Sequence, residues 1–341
     1  MQCTLLVPHL FWPRDTADAI ERDLELPALT RILARARAHR AAPLTSEAWL
    51  CQAFEVEPQQ DWPVAPLTLA LDGGEAGDRY WLRADPVHLK VERNRVLLVE
   101  PALFDVTIDE AQAFAGVLNA HFGEEVSLEA RAAKRWYVSA PAAPSLVTRA
   151  PHEASGQDVR SNLPTGADAP KWHRIFNDAQ MLLHEHPLNE ARAARGEAVI
   201  NSVWFWGGGK RPRVPGRHFN AVWSNDALAT ALGAVADLAT HDLPDAARSW
   251  FASAESRQGT HLIVLNDLAT ATRYGDADAW RTRAARLDAD WLAPLAGAVR
   301  DGRLQRLVLA IPAATRSWRF EMTRSDLFKF WRPAKPLREF A

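Results

Sequence analysis

Three short, nearly continuous apolar runs constrain this chain more than any other feature: "CTLLVP" at 3–8, "THLIVLND" at 260–267 and "LQRLVLAIP" at 304–312. Each is too short for an ordinary helix. Each also lacks the polar alternation of a strand with one wet face, so it reads as a strand buried on both sides. Between the last two lies "DADAWRTRAARLDADWLAPLAGAVRDG", a long stretch that is amphipathic at helical spacing. Buried strands alternating with such helices at both ends of the chain imply an α/β core, a mainly parallel sheet flanked by helices.

The middle of the chain has another texture. "RYWLRADPVHLKVERNRVLLVEP" predicts two strands around a polar turn, "TIDEAQAFAGVLNAHFG" a capped helix ending at Gly123, and "VSLEARAAKRWYVSAP" two more strands. This α+β run reads as a subdomain, 79–140, inserted into a core made of 1–78 and 170–341. The Pro-, Ser-, Gly- and Ala-rich stretch 141–169 reads as a loop or linker. Elsewhere "LELPALTRILARARAHR" predicts one helix and "APLTLALDGG" a strand. "SEAWLCQAF" predicts a helix capped by Ser46, and "SWRFEMTRSDLFKFWRP" a closing helical segment.

Totals set the bounds on partners. The 341 residues, 48% apolar, suffice for one large domain or two modest ones. The formal net charge is −2 and the arginines are dispersed among acids, so neither a nucleic-acid nor a membrane partner is expected. No apolar run approaches the roughly 20 residues of a membrane span. Two cysteines, Cys3 and Cys51, form no ligand pattern and suit a reducing, cytoplasmic setting. Most of the fourteen tryptophans are expected in the core.

Open α/β sheets bind ligands at the carboxyl ends of their strands. The strand ends to inspect are Pro8–His9, Trp206–Lys210, Asn266–Asp267 and Ile311–Ala314. In "INSVWFWGGGKRP" the glycines Gly207, Gly208 and Gly209 and the cation Lys210 read as a turn. It is either a structural turn or one whose free N–H groups face an anion. It lacks the spacing of a P-loop. Upstream, "HEHPLNEARAARG" puts Asn189 and Arg192 one helical turn apart, a pair that suits a phosphate or carboxylate or else forms a solvated face. His184 and His186 have no nearby carboxylate to complete a metal site.

"HEHPLNEARAARGEAVINSVWFWGGGKRP" resembles a segment of the archaeal-type, cofactor-independent phosphoglycerate mutases of the alkaline phosphatase superfamily. More narrowly, the chain looks like a bacterial subgroup of mutase-like regulatory proteins, of the rpf-cluster E type. The resemblance implies an alkaline-phosphatase-like core with an inserted α+β subdomain. It also implies a substrate-side pocket of His186, Asn189, Arg192, Asn201, Gly207, Gly208, Gly209 and Lys210, and a nucleophile at Ser46. The family transfers a phosphoryl group through that serine with two divalent metals, Mn, Zn or Mg.

This sequence departs from the family where those metals bind. His9 stands at the first aspartate position. Asp267 matches its motif, but Ala271 stands where the motif has histidine, and no histidine follows His261. The leading expectation is therefore a catalytically degenerate relative, without resident metal or other cofactor. It would bind a phosphorylated or anionic small molecule or a protein partner in a regulatory role, with His9 and Asp267 as remnant metal positions. One alternative is an active phosphomutase or phosphatase acting through Ser46 with a remodelled metal site. Another is an assembly protein that docks a partner on its aromatic, basic C-terminal segment.

Overall fold

The computed structural model describes residues 1–341, the Arg257 side chain excepted. The chain forms two compact units, Met1–Glu55 with Val214–Ala341, and Val56–Arg213.

In the first unit the chain begins with β1 (Gln2–Leu6), α1 (Arg14–Ile20), α2 (Pro27–Arg35), β2 (Arg37–Ala41) and α3 (Ser46–Ala53). The second unit then contributes α4 (Val64–Leu71), β3 (Tyr80–Glu92), β4 (Arg95–Val99), α5 (Ile108–Phe122), β5 (Ser127–Ala132) and β6 (Arg135–Ala140). It ends with α6 (Pro151–Ala154), α7 (Ala169–His184), α8 (Pro187–Ala194) and β7 (Ser202–Gly209). The first unit resumes with β8 (Ala221–Trp223), α9 (Ala227–Val235), β9 (Ala239–His241), α10 (Ala247–Ala252), β10 (Thr260–Val264) and α11 (Asp267–Arg273). It closes with α12 (Ala277–Arg286), α13 (Ala293–Arg300), β11 (Arg306–Ile311) and β12 (Ser317–Thr323).

The three apolar runs become β1, β10 and β11, side by side in a seven-stranded sheet of order β2-β12-β11-β1-β10-β8-β9. From β11 to β9 the pairing is parallel throughout, as expected. β12 is antiparallel to β11, and β2 to β12. The core beside this sheet joins Leu5, Ile263 and Leu309 to Trp250, Trp280 and Trp291. So these tryptophans are packing residues.

Two local expectations fail here. The predicted helix over "ARAHR" ends at Arg35, and the arginines and histidine that follow form β2, an exposed edge strand whose charges discourage further pairing. The C-terminal segment begins as a strand, not a helix. Ser317, Phe320 and Met322 are buried along β12, and a 3₁₀ turn, Arg324–Phe328, follows.

The long amphipathic segment is broken in the middle. Residues Leu287–Leu292 make a π-helical turn between α12 and α13. This turn buries Asp288, whose oxygens accept from Ala28 N at 3.1 Å and Leu29 N at 2.6 Å. The N-cap of α2, Leu26, has no side chain to offer those donors, so Asp288 caps α2 from 259 positions away in sequence.

The second unit is an antiparallel sheet with flanking helices, and its extent corrects the expected domain boundaries. Segments 56–78 and 170–213 belong to it and not to the parallel core. The cause is non-local pairing: β7 runs antiparallel to β3, with Arg83 opposite Trp206 and Val87 opposite Ser202. "APLTLALDGG" is the helix α4, with Val64 to Leu69 all buried. A helix buried all round has no amphipathic period and resembles a buried strand in sequence. Nor is 141–169 a free linker. Val147 pairs with Thr165, Leu146 N donates to Gln60, and Trp204 Nε1 donates to Arg149 O. The capped helix and four flanking strands expected over 79–140 form as expected, with Thr107 and Glu110 closing the capping box of α5.

Candidate functional site

The C-terminal edge of the parallel strands gathers the first unit's polar chemistry. After β1 the chain turns at His9, in a left-handed conformation with φ 58°. After β8, Asp226 caps α9 through Ala229 N at 2.9 Å, and its other oxygen accepts from Asn266 Nδ2 at 3.1 Å. After β10, Asp267 opens α11 and is exposed. After β11, Ala313 O accepts from Leu44 N at 3.1 Å, which brings the segment before α3 to the same edge.

Ser46 is the first residue of α3 and not its cap. Thr45 holds that place, its hydroxyl accepting from Ala48 N at 3.2 Å. Beside Ser46, burial holds the Glu47 carboxyl above its usual range against the pull of Arg273. The Cys51 thiol, one turn on, is pushed up to about 12 by burial and by Glu47, so it is inert at neutral pH.

A cleft of about 670 Å³ opens at this edge. Its apolar wall includes Val7 after β1, Leu265 after β10, and Leu287 and Trp291 from the π turn. Its charged lining has two cations, Arg283 and Arg286, and three acids, Asp245, Asp267 and Asp290. Arg283 Nη1 donates to Asp267 O at 2.7 Å and so ties α12 to the start of α11. The π turn shapes this wall, a common place for such turns. Sequence reasoning missed Arg283, Arg286 and Asp290. Their i, i+3 and i, i+4 spacing in "RAARLDAD" was the available signal.

The donor set at this edge does not fit a two-metal centre. Asp226 has both oxygens occupied, Ala271 offers no ligand, and among the described residues no three His, Cys, Asp or Glu side chains converge as metal ligands. His9 and Asp267 lie after the adjacent strands β1 and β10.

The eight residues expected as a substrate pocket lie in the second unit, where protein groups already occupy most of their donors and acceptors. Asn189 is buried, donates to Leu183 O and Ile200 O, and accepts from Ile200 N. Asn201 makes the same two-way clasp with Leu89. Arg192 is 1% exposed and donates to Ala198 O, Asp105 O and Glu110. His186 caps α8 through Leu188 N and packs against Phe114, and burial lowers its pKa.

The glycine run is not a turn either. Gly207, Gly208 and Gly209 are the buried end of β7. A Cβ on Gly207 would stand 2.9 Å from that of Val64, and one on Gly209 2.6 Å from that of Pro63. The N–H groups that an anion needs are occupied. Gly207 donates to the Thr148 hydroxyl and Lys210 to Gln59, and the Asp61 carboxylate, held by Thr148, lies close to Gly208. A carboxylate of the protein itself, Asp61, thus lies beside the glycine run where an anion was expected. Only the Lys210 side chain remains exposed.

Over 68 residues, 20% of this chain, the sequence is 38% identical to a probable 2,3-bisphosphoglycerate-independent phosphoglycerate mutase of Geobacter sulfurreducens. Over 28% of the chain it is 36% identical to a 2,3-bisphosphoglycerate-independent phosphoglycerate mutase of Methanothrix thermoacetophila. These matches span only 17% and 26% of the two relatives' lengths. The solved structure of the PH0037 protein from Pyrococcus horikoshii aligns with 99% of this chain and 92% of its own, with a TM-score of 0.62 and 13% identity. No family model matches the chain. The resemblance to cofactor-independent phosphoglycerate mutases therefore holds over part of the sequence, and the expected α/β class, a mainly parallel sheet flanked by helices, holds for the fold.

Proposed function

We propose that this chain is a catalytically degenerate relative of the phosphoglycerate mutases, acting by binding in a regulatory role. Its ligand is a small molecule that carries a phosphate or another anionic group. The site is the cleft at the ends of β1 and β10, not the glycine-lysine segment of the second unit. The observation that carries this reading is the donor set at the strand ends. Metal-assisted phosphoryl transfer needs several carboxylates and imidazoles around the transferred group. Here the corresponding edge offers His9, an Asp226 that already accepts from Ala229 N and Asn266, an exposed Asp267 and Ala271, and the cleft adds only Asp245 and Asp290, with no imidazole.

Arg283 and Arg286 supply the positive pole for the anionic group, and Leu265, Leu287 and Trp291 supply an apolar wall. Asp245, Asp267 and Asp290 select against ligands that are anionic throughout. The test is a thermal-shift screen of phosphorylated metabolites, phosphoglycerates included, against the wild type and Arg286→Ala. A compound that stabilises the wild type and not the variant supports the cleft. A compound that stabilises both equally, or a screen in which nothing shifts the wild type, removes it.

A further inference from the structure

The first unit carries a second, unlike surface. Four residues of "FKFW" at 328–331 include three aromatics presented to water: Phe328 is 67% exposed, Phe330 77% and Trp331 67%. The Phe330 and Trp331 rings meet edge to face at 5.4 Å, so they form one apolar prominence. Exposed rings this close together demand an explanation, whereas single ones do not.

Cations surround the prominence. A groove of about 450 Å³ runs between α2, α13 and the turn after β12. Every charged residue lining it is an arginine: Arg31, Arg35, Arg300 and Arg324. A second groove shares Pro27, Arg31 and Arg35 with the first and adds Arg332, with Glu25 as its one acid. Segment 324–335 itself carries Arg324, Lys329, Arg332 and Lys335 against one acid, Asp326. That acid is 1% exposed and held by Lys329 and Thr323. Asp288, behind Arg31, is buried on the α2 N–H groups. Asp301 pairs with Arg300 at 3.1 Å. Arg35 and Arg332 also anchor the segment, donating to Leu327 O and Ala36 O.

We propose that this face docks on an anionic phospholipid surface, with Phe330 and Trp331 in the interfacial layer and the groove arginines against lipid phosphates. Guanidinium groups pair with phosphate, and Trp and Phe side chains favour the boundary between headgroups and acyl chains. The geometry favours a lipid surface over a peptide. Phe328 lines the first groove, and Phe330 and Trp331 line neither of the two. Phe330 and Trp331 project away from the fold, which suits a soft, extended phase more than a partner that must supply matching pockets. The chain-wide charge of −2 conceals the site because its arginines come from three separate stretches.

Co-sedimentation of the full chain with vesicles tests this. We expect binding to phosphatidylcholine vesicles containing phosphatidylglycerol, little binding to phosphatidylcholine alone, and loss of binding as salt rises. Phe330→Ser with Trp331→Ser should lower partitioning by on the order of tenfold. Arg300→Glu with Arg324→Glu should abolish the preference for anionic vesicles. Both double variants should melt at the wild-type temperature, since these side chains are exposed. Failure of the wild type to sediment with anionic vesicles at low salt overturns the proposal. So does undiminished binding by the aromatic variant. Binding of polyglutamate or RNA through these residues, with no vesicle binding, overturns it in favour of a macromolecular partner.

Discussion

Arg192 donates to Glu110 Oε2 at 2.8 Å, and the same oxygen accepts from Thr107 N at 3.0 Å in the capping box of α5. One carboxylate thus joins the start of α5 to the last turn of α8. Arg192 completes the joint by donating to Ala198 O and Asp105 O. The residue expected to bind phosphate is a clamp between elements. Arg192→Ala should destabilise the protein by about 1–3 kcal/mol, because Ala198 O and Asp105 O lose their donor and Glu110 keeps only Thr107 N and Arg195 as partners. Denaturant unfolding measures this. A loss under about 1 kcal/mol would show that Arg192 is not a structural clamp.

Gly208 sets a second expectation. A Cβ there would collide with the Tyr80 hydroxyl, a buried group with no hydrogen-bond partner among the described residues. Gly208→Ala should cost about 1–3 kcal/mol as overpacking, and Tyr80→Phe alone should cost almost nothing. Combined, Tyr80→Phe should recover part of the Gly208→Ala loss in a double-mutant cycle. Strict additivity would mean that the two residues do not meet.

Asp288→Ala should destabilise by about 1–3 kcal/mol, since Ala28 N and Leu29 N lose their acceptor inside the fold. Asp288→Asn keeps an acceptor oxygen and should cost less. Thermal melts of the three proteins give the order. Equal melting temperatures would mean that the π turn does not cap α2.

His261 predicts a pH dependence. It is buried in β10, with Trp223 Nε1 donating to its Nδ1 at 3.2 Å and its Nε2 facing Gln258 O at 2.7 Å. That arrangement holds a neutral imidazole, and burial lowers its pKa from the ordinary 6.5. As pH falls below about 6.5 the unfolded chain takes up a proton that the native state refuses. Stability therefore declines with acid until the native pKa is reached, by about 1.4 kcal/mol per unit of separation. His261→Gln should flatten this slope. His186, lowered in the same direction, should leave a remainder. An unchanged slope in His261→Gln would remove His261 as its source.

What the sequence makes legible follows from how local the physics is. β1, β10 and β11 stand out because strands buried on both faces are apolar throughout, and α5 because its capping box is written in four residues. α4 was hidden by the same property that exposed the strands, being apolar on every side. The unit boundaries depend on β3 pairing with β7, more than a hundred residues apart, and no local pattern states that. The glycine run shows that a close approach is needed but not what approaches. Here it is Val64, Tyr80 and Pro63, not a ligand. The arginines of both surfaces were visible one by one and meaningless until the fold assembled them.

The central claim is that the mutase-like scaffold binds without metal-assisted turnover. Metal content and phosphoryl-transfer turnover of the purified full chain, wild type and Ser46→Ala, test it most directly. The account predicts no stoichiometric Mn, Zn or Mg after dialysis and any residual phosphatase or mutase rate unchanged by Ser46→Ala. Stoichiometric metal together with turnover that Ser46→Ala abolishes would contradict it.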